Sequence, residues 1–395
     1  MHALYICYFS LDEPLVQSQV LPYLRELAAA GIKVRLLTFE KDLKQKSSDQ
    51  LAASREALAA RGITWSYLPY HKTPSIPATL YDVLAGAVQI VRLIRREGVE
   101  VLHARAHIPM AMALIAQRLA RCRTVFDLRG LIAEEYVDAG IWHEGSIPFK
   151  AIKWIERAGL RRADQIVVLT ERVREWLTNA DPKLANKITV IPCCVDRSRF
   201  VSEVSPVGFE LVYAGSVVGL YMLEEMALFF LALKERQPDA RFRVLTHGPR
   251  AQVATVLQRA GVREADFEVV AVAPDEIPQN LSRASLGISF RKPTFSQIAA
   301  SPTKIAEYLA AGIPVVSNNG TGDVDQLLRD ERVGLTVNSF DGAALAEAAA
   351  RALALANEKD IKARCRDAAA RYFDLVDVGG KRYREVYERI EQQRR

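Results

Sequence analysis

The chain has 395 residues, 50% of them apolar and 25% charged, with a formal net charge of +6 at pH 7. That apolar share excludes general disorder, and the length exceeds what one hydrophobic core serves, so two domains of about two hundred residues each are expected. No run of eighteen apolar residues is present and residues 1–9 lack the basic start of a secretory signal, which together predict neither a transmembrane helix nor a leader. Cys7, Cys122, Cys193, Cys194 and Cys365 are scattered, without metal-ligand spacing, as expected for a cytoplasmic protein with no metal site. The basic residues come in pairs such as Arg95 with Arg96 and Arg161 with Arg162, and no nucleic-acid-binding motif accompanies them. An anionic small molecule or an anionic membrane surface suits this charge; nucleic acid is not expected.

Residues 3–9 read as a buried strand. Residues 17–30 read as a helix with Val20, Leu21, Leu24 and Leu27 on one face, closed by Gly31. A second strand over 34–39 precedes a charged helix and loop over 41–61. The connection 10–18 leaves the C-terminal end of the first strand, where open α/β sheets place ligands. A strand ending at His103 leads to a helix over 110–120, and the junction offers His103, Arg105 and His107. Histidines at such a strand end serve structure as readily as ligands. The strand over 124–128 delivers Asp127, Arg129 and Gly130, followed by Glu134, Glu135 and Asp138, a group that reads either as a solvated loop or as the wall of a polar site. The helix over 149–162 sets Ile152, Ile155 and Ala158 among Lys150, Lys153, Arg157, Arg161 and Arg162, a face suited to water or to anionic lipid. A strand over 166–169, a helix capped by Thr170 and a strand over 188–191 follow. Cys193 and Cys194 read as small buried residues, and 197–207 as a polar linker.

The second half starts a new strand over 210–213 and turns through Gly215 and Ser216 into a helix reaching about residue 235. Three further strand ends deliver His247 and Gly248, then Ala273, then Arg291 and Lys292. Ser301 is a favoured helix cap and Pro302 suits the first helical position, leaving the backbone N–H groups near Thr303 and Lys304 unpaired. Those donors, the positive end of the helix dipole and the Lys304 ammonium suit a phosphate. Glu307, one turn on, suits sugar hydroxyls. Gly312 and Pro314 end this helix before a strand at 315–316. Asp323 and Asp325 follow the turn made by Gly320 and Gly322, and an N-cap accounts for them better than a metal does. A last strand over 333–337 and a terminal helix over 372–387 complete the reading.

The stretch 301–319, with Lys304 and Glu307 at matching positions, resembles the donor-binding helix of the family 4 glycosyltransferases. The exit of the first half through Val190, Pro192 and Asp196 resembles that family too. The resemblance implies a GT-B fold: an α/β protein of two Rossmann-like, doubly wound domains facing a cleft, over 1–200 and 207–375, with residues 376–395 crossing back to the first. It implies a sugar moved, with retention of configuration and without a metal or cofactor, from a nucleotide diphosphosugar to a glycan, lipid-linked or small-molecule acceptor in glycoconjugate biosynthesis, in the cytoplasm or at the inner membrane face. By the same resemblance Gly215, Ser216, His247, Gly248, Ala273, Arg291, Lys292, Ser301, Thr303, Lys304 and Glu307 hold the donor, and His103, Arg105 or His107 approaches the reacting sugar. Three departures stand out. Ala299 replaces a second glutamate, Ser216 replaces an arginine, and the first strand lacks the glycine pair that often follows it. A nucleotide-sugar epimerase of the same fold and a noncatalytic nucleotide-sugar-binding protein are the alternatives.

Overall fold

Buried apolar runs returning at regular intervals form two parallel sheets in a computed structural model that describes residues 1–200 and 208–393. The chain divides into two units, one of Met1–Ile191 with Gly379–Arg395 and the other of Pro192–Val378. The division falls just before the stretch expected as linker, whose residues 201–207 lie outside the described residues.

In the first unit the strands are β1 (His2–Cys7), β2 (Lys33–Glu40), β3 (Ile63–Pro69), β4 (Val101–Arg105), β5 (Arg123–Asp127), β6 (Gln165–Val168) and β7 (Ile188–Val190). They lie in the order β3-β2-β1-β4-β5-β6-β7, all parallel. The helices are α1 (Pro14–Gln19), α2 (Leu21–Ala29), α3 (Ser48–Ala59), α4 (Ser75–Glu97), α5 (His107–Leu119), α6 (Ile132–Asp138), α7 (Ile147–Arg162) and α8 (Glu171–Ala180). The reversal of strand order between β1 and β4 is the switch point at which such sheets place ligands. Right-handed crossovers put α2 and α3 on one face and α4, α5, α7 and α8 on the other. The strand β3 and the helix α4 are absent from the sequence reading, which passes from residue 61 to residue 101. The single helix expected over 17–30 is two, because Pro22 at the start of α2 lacks the N–H that would continue α1. By length and composition alone α4 is long and apolar enough to span a bilayer. In this fold its inner face, with Val83, Ala87 and Ile90, is buried.

The second unit repeats the pattern with β8 (Glu210–Ala214), β9 (Arg241–Leu245), β10 (Phe267–Val270), β11 (Leu286–Ser289), β12 (Val315–Asn318) and β13 (Gly334–Val337), ordered β10-β9-β8-β11-β12-β13 and parallel. Its helices are α9 (Leu223–Arg236), α10 (Arg250–Arg259), α11 (Ile277–Leu281), α12 (Thr303–Ala311), α13 (Val324–Asp330), α14 (Gly342–Ala356) and α15 (Ile361–Phe373). One core cluster packs Tyr308, Leu309 and Phe373 on one face of the sheet; the other packs Phe229, Phe230 and Phe242 on the opposite face. The switch point here lies between β8 and β11.

The chain then returns to the first unit as α16 (Lys381–Gln392). The continuous helix expected over 372–387 is broken at Asp374, which adopts an extended conformation. Its carboxylate accepts the N–H groups of Val376 (2.8 Å) and Asp377 (2.9 Å) and pairs with Arg197 at 3.0 Å. A side chain that satisfies the next two donors ends the helix locally. Leu375–Gly380 then forms one wide π turn before α16.

Candidate functional site

In the second unit three loops leave the C-terminal ends of β8, β9 and β11 beside the start of α12. Gly215 has φ 126°, a conformation that disfavours any side chain, and a Cβ on it would stand 3.0 Å from the Lys304 Nζ. A Cβ on Gly248 would likewise stand 3.0 Å from Val217, so the first two loops touch. The third is joined to the first where Leu220 accepts the Lys292 N–H at 2.8 Å and Phe290 accepts the Met222 N–H at 3.1 Å.

Lys304 is the centre of this group. Its side chain is buried, donates to the Tyr213 hydroxyl at 3.0 Å and lies 4.0 Å from the centre of the Tyr221 ring. The Arg291 guanidinium covers the same ring at 4.6 Å. Burial depresses the Lys304 pKa, and Arg291 adds to that effect while Tyr221 and Glu307 oppose it. Burial acts to raise the Tyr221 phenol, yet Lys304 and Arg291 together bring it below its ordinary value. Among the described residues no carboxylate lies within ion-pair distance of Lys304. Two cations and two phenols therefore meet at a helix start whose first backbone donors have no intrahelical acceptor.

Arg291 is positioned by Asn318, whose Oδ1 accepts its N–H and whose Nδ2 donates to its carbonyl, both at 2.8 Å, and by the buried Gln297, which accepts from its Nε. Glu307 carries a pKa raised by burial, with Lys304 and then Arg199 opposing. Arg199 in turn donates to the Pro274 carbonyl at 2.7 Å, which ties the loop of Ala273 to the same neighbourhood. The Ala273 N–H is held by Glu276 at 3.0 Å. Ser216 accepts from Val218 at 3.3 Å through its hydroxyl and from Tyr213 through its carbonyl. His247 and Lys292 are exposed on the outer rims of their loops.

Ser301 does not cap α12. The helix starts at Thr303 with Pro302 at the cap position and no side-chain cap, while the Ser301 hydroxyl accepts the Cys193 N–H at 3.1 Å. Because Pro302 holds the cap position and has no side-chain acceptor, the start of α12 is left without a side-chain cap. Asp323 occupies the cap position of α13 after the positive-φ Gly320 and Gly322. Among the described residues no group of three or more histidines, cysteines and acids is gathered closely enough for a metal.

The first unit carries a buried ionic cluster at the ends of β4 and β5. Parallel register sets Arg105 beside Asp127 and Tyr5 beside His103. Asp127 accepts from the Tyr383 hydroxyl of α16 at 3.0 Å and lies 3.6 Å from His103, 3.7 Å from Arg105 and 3.8 Å from Arg129. Burial would raise its carboxyl, but Arg129, then His103 and Arg105, hold it at about 2. The neutral form of His103 is favoured by burial, against Asp127, and its Nδ1 meets the Tyr387 hydroxyl at 2.9 Å.

His107 lies apart, at the first turn of α5, with Nε2 3.2 Å from Glu156, which also binds Lys153 at 2.5 Å. Between the two clusters Ala106 has φ 67° and ψ −172°, a region kept almost entirely for glycine. The sequence reading had no signal for Tyr221, Arg199 or the paired tyrosines of α16. Tyr213, at a strand's ligand end just before Gly215, was within its reach.

Residues 16–199 match the family model described as Glycosyltransferase Family 4, and residues 209–354 match that of Glycosyl transferases group 1. A curated relative, an exopolysaccharide phosphotransferase of Streptomyces coelicolor, is 27% identical over 190 residues, which are 48% of this chain but only 19% of that protein. Among solved structures, the sucrose-phosphate synthase of Thermosynechococcus elongatus has a TM-score of 0.71 at 15% identity, over 98% of this chain and 99% of its own. A glycosyltransferase of Rickettsia africae matches with a TM-score of 0.71 at 15% identity over 98% of both chains. HepE of Anabaena, solved with UDP-glucose, matches at 0.66 and 14% identity, over 98% of this chain and 100% of its own. With two glycosyltransferase models matched in succession along most of the chain and two doubly wound parallel sheets, the chain is a glycosyltransferase of the GT-B type whose first half matches family 4 and whose second half matches group 1.

Proposed function

We propose that the protein transfers a sugar from a nucleotide diphosphosugar to a glycan, lipid-linked or small-molecule acceptor in glycoconjugate biosynthesis, retaining the anomeric configuration and without a metal. The observation that carries this reading is Lys304, a buried ammonium with its pKa depressed and, among the described residues, no carboxylate in ion-pair range. A diphosphate would supply the missing negative charge, and Arg291 with the open start of α12 supplies further donors. Negative charge grows on the diphosphate as the sugar leaves, so these groups bind the transition state more strongly than the ground state. Arg291 and Lys304 together stand in for the arginine absent at Ser216, and Glu307 takes ribose hydroxyls. Thr303, Gly215 and Gly248 bring backbone to the phosphates; His247, Ala273 and Lys292 line the donor's outer parts. In the first unit His103 and Arg105 lie beside Asp127 and His107 beside Glu156, all three buried, and the role of orienting the sugar is assigned to one of these three. Cysteines scattered without metal-ligand spacing suit the reducing cytoplasm in which this reading sets the protein.

A panel of nucleotide diphosphosugars, incubated with and without acceptors, tests this reading. Acceptor-dependent release of nucleoside diphosphate with the sugar's configuration kept, undiminished by chelators, is expected. Isomerised donor without acceptor would mark an epimerase, and binding without turnover a noncatalytic protein. Glu307→Gln is expected to weaken donor affinity with little change in turnover, because the ribose is unchanged during the reaction.

A further inference from the structure

The helix α4 has a second face that its own unit does not use. Ala78, Asp82, Val83, Gly86, Ala87 and Ile90 turn inward, with Gly86 so near α5 that a Cβ would stand 2.6 Å from the Met112 sulfur. On the opposite side Ile76, Leu80, Leu84 and Val88 recur every fourth residue and are 60, 58, 51 and 48% exposed. The same spacing continues through Arg92 and Arg96, both exposed, with exposed Arg95 beside them. The helix has two acids, and neither answers these cations. Asp82 is buried, accepting from Tyr8 at 2.7 Å and from the His71 N–H at 3.0 Å, and Glu97 pairs with Arg35 at 2.7 Å. Among the described residues no carboxylate pairs with Arg92, Arg95 or Arg96.

A row of large aliphatic side chains followed by three arginines is the pattern of a helix lying in a lipid interface, its aliphatic groups among the acyl chains and its long cationic side chains reaching phosphates. A second copy of the chain fits less well. A parallel pairing would set arginine against arginine, and an antiparallel one centred near Asp82 would cover the aliphatic row yet bring no free acid of this helix to the arginines, since Asp82 is buried and Glu97 is paired. We propose that the outer face of α4 docks the protein on an anionic phospholipid surface, and that this face, rather than the basic helix α7, is the main contact. The inference is independent of the donor site.

Sedimentation of the full chain with vesicles of phosphatidylglycerol and phosphatidylcholine, or of phosphatidylcholine alone, tests it. Binding to the anionic vesicles only, released by salt, is expected. Leu80→Glu with Leu84→Glu should lose it by more than tenfold. Arg92→Glu with Arg96→Glu should weaken it by at least fivefold per arginine, since each cation near such a surface is worth about 1 kcal/mol. Lys150→Glu with Arg157→Glu on α7 should retain it. All these positions are exposed, and unchanged thermal unfolding with unchanged nucleotide binding verifies that each variant folds. Equal binding to both vesicle types, loss only in the α7 variant, or a wild-type dimer that Leu84→Glu makes monomeric would each overturn the proposal.

Discussion

The two units bury charge in opposite ways. Around Asp127 the first unit sets one carboxylate against Arg105, Arg129, a histidine and two tyrosine hydroxyls, and the cations outweigh desolvation enough to keep Asp127 ionised. Around Lys304 the second unit sets a cation against phenols and another cation, and burial prevails. A buried charge with its partners in place maintains the fold; one without them carries a desolvation cost that an incoming anion can relieve. A buried titratable group is thus informative about ligands chiefly when its counter-charge is absent.

The largest expected effect lies in the first unit. Asp127→Ala leaves the buried Arg105 without this carboxylate, which should cost roughly 3–5 kcal/mol in denaturant unfolding. A loss below about 1 kcal/mol would show that the cluster is not what holds α16 and the strands β4 and β5 together. In the second unit Lys304→Met should behave differently. Nucleoside diphosphate affinity, read by calorimetric titration, should fall roughly tenfold to a hundredfold, the cost of about 1.5–3 kcal/mol for a lost charge-assisted hydrogen bond. Thermal stability without nucleotide should be equal or higher. Unfolding at a markedly lower temperature with affinity intact would erase the contrast between the units.

Ala106→Gly sharpens the boundary between the two clusters of the first unit. Relief of a conformation reserved for glycine, less the entropy glycine adds to the unfolded chain, should stabilise the protein by about 1 kcal/mol. The smallest effect is that of pH. Burial, opposed by Asp127, holds His103 below its ordinary pKa of 6.5. Once pH falls below that value the unfolded chain binds a proton that the native ring does not, so stability declines from there toward the lower folded pKa. His103→Gln should flatten that slope in urea titrations at several pH values. Lys304 has its folded pKa below 10.5, so its cost is relieved as pH rises toward that value. An unchanged slope in the His103 variant would show that another group is responsible.

Much of the fold was legible because parallel strands buried on both faces read as short aliphatic runs, and residues 34–39, 124–128 and 315–316 did so. The helix α4 was passed over although its buried positions, Asp82, Val83, Gly86, Ala87, Ile90 and Val91, recur at helical spacing; its exposed aliphatic row is what sets it apart from an ordinary amphipathic helix. The break at Asp374 escaped notice because the carboxylate ends the helix while bound to Arg197, far away in sequence. Residue types and spacing were enough to single out Lys304, Glu307 and Gly215 and the start of α12, since a helix start, a glycine turn and a cation each state their chemistry locally. Which charges are compensated was decided only by tertiary structure. Asp127 meets Tyr383 across 256 positions and Lys304 meets Tyr213 across 91, and no local pattern records a partner at such separation.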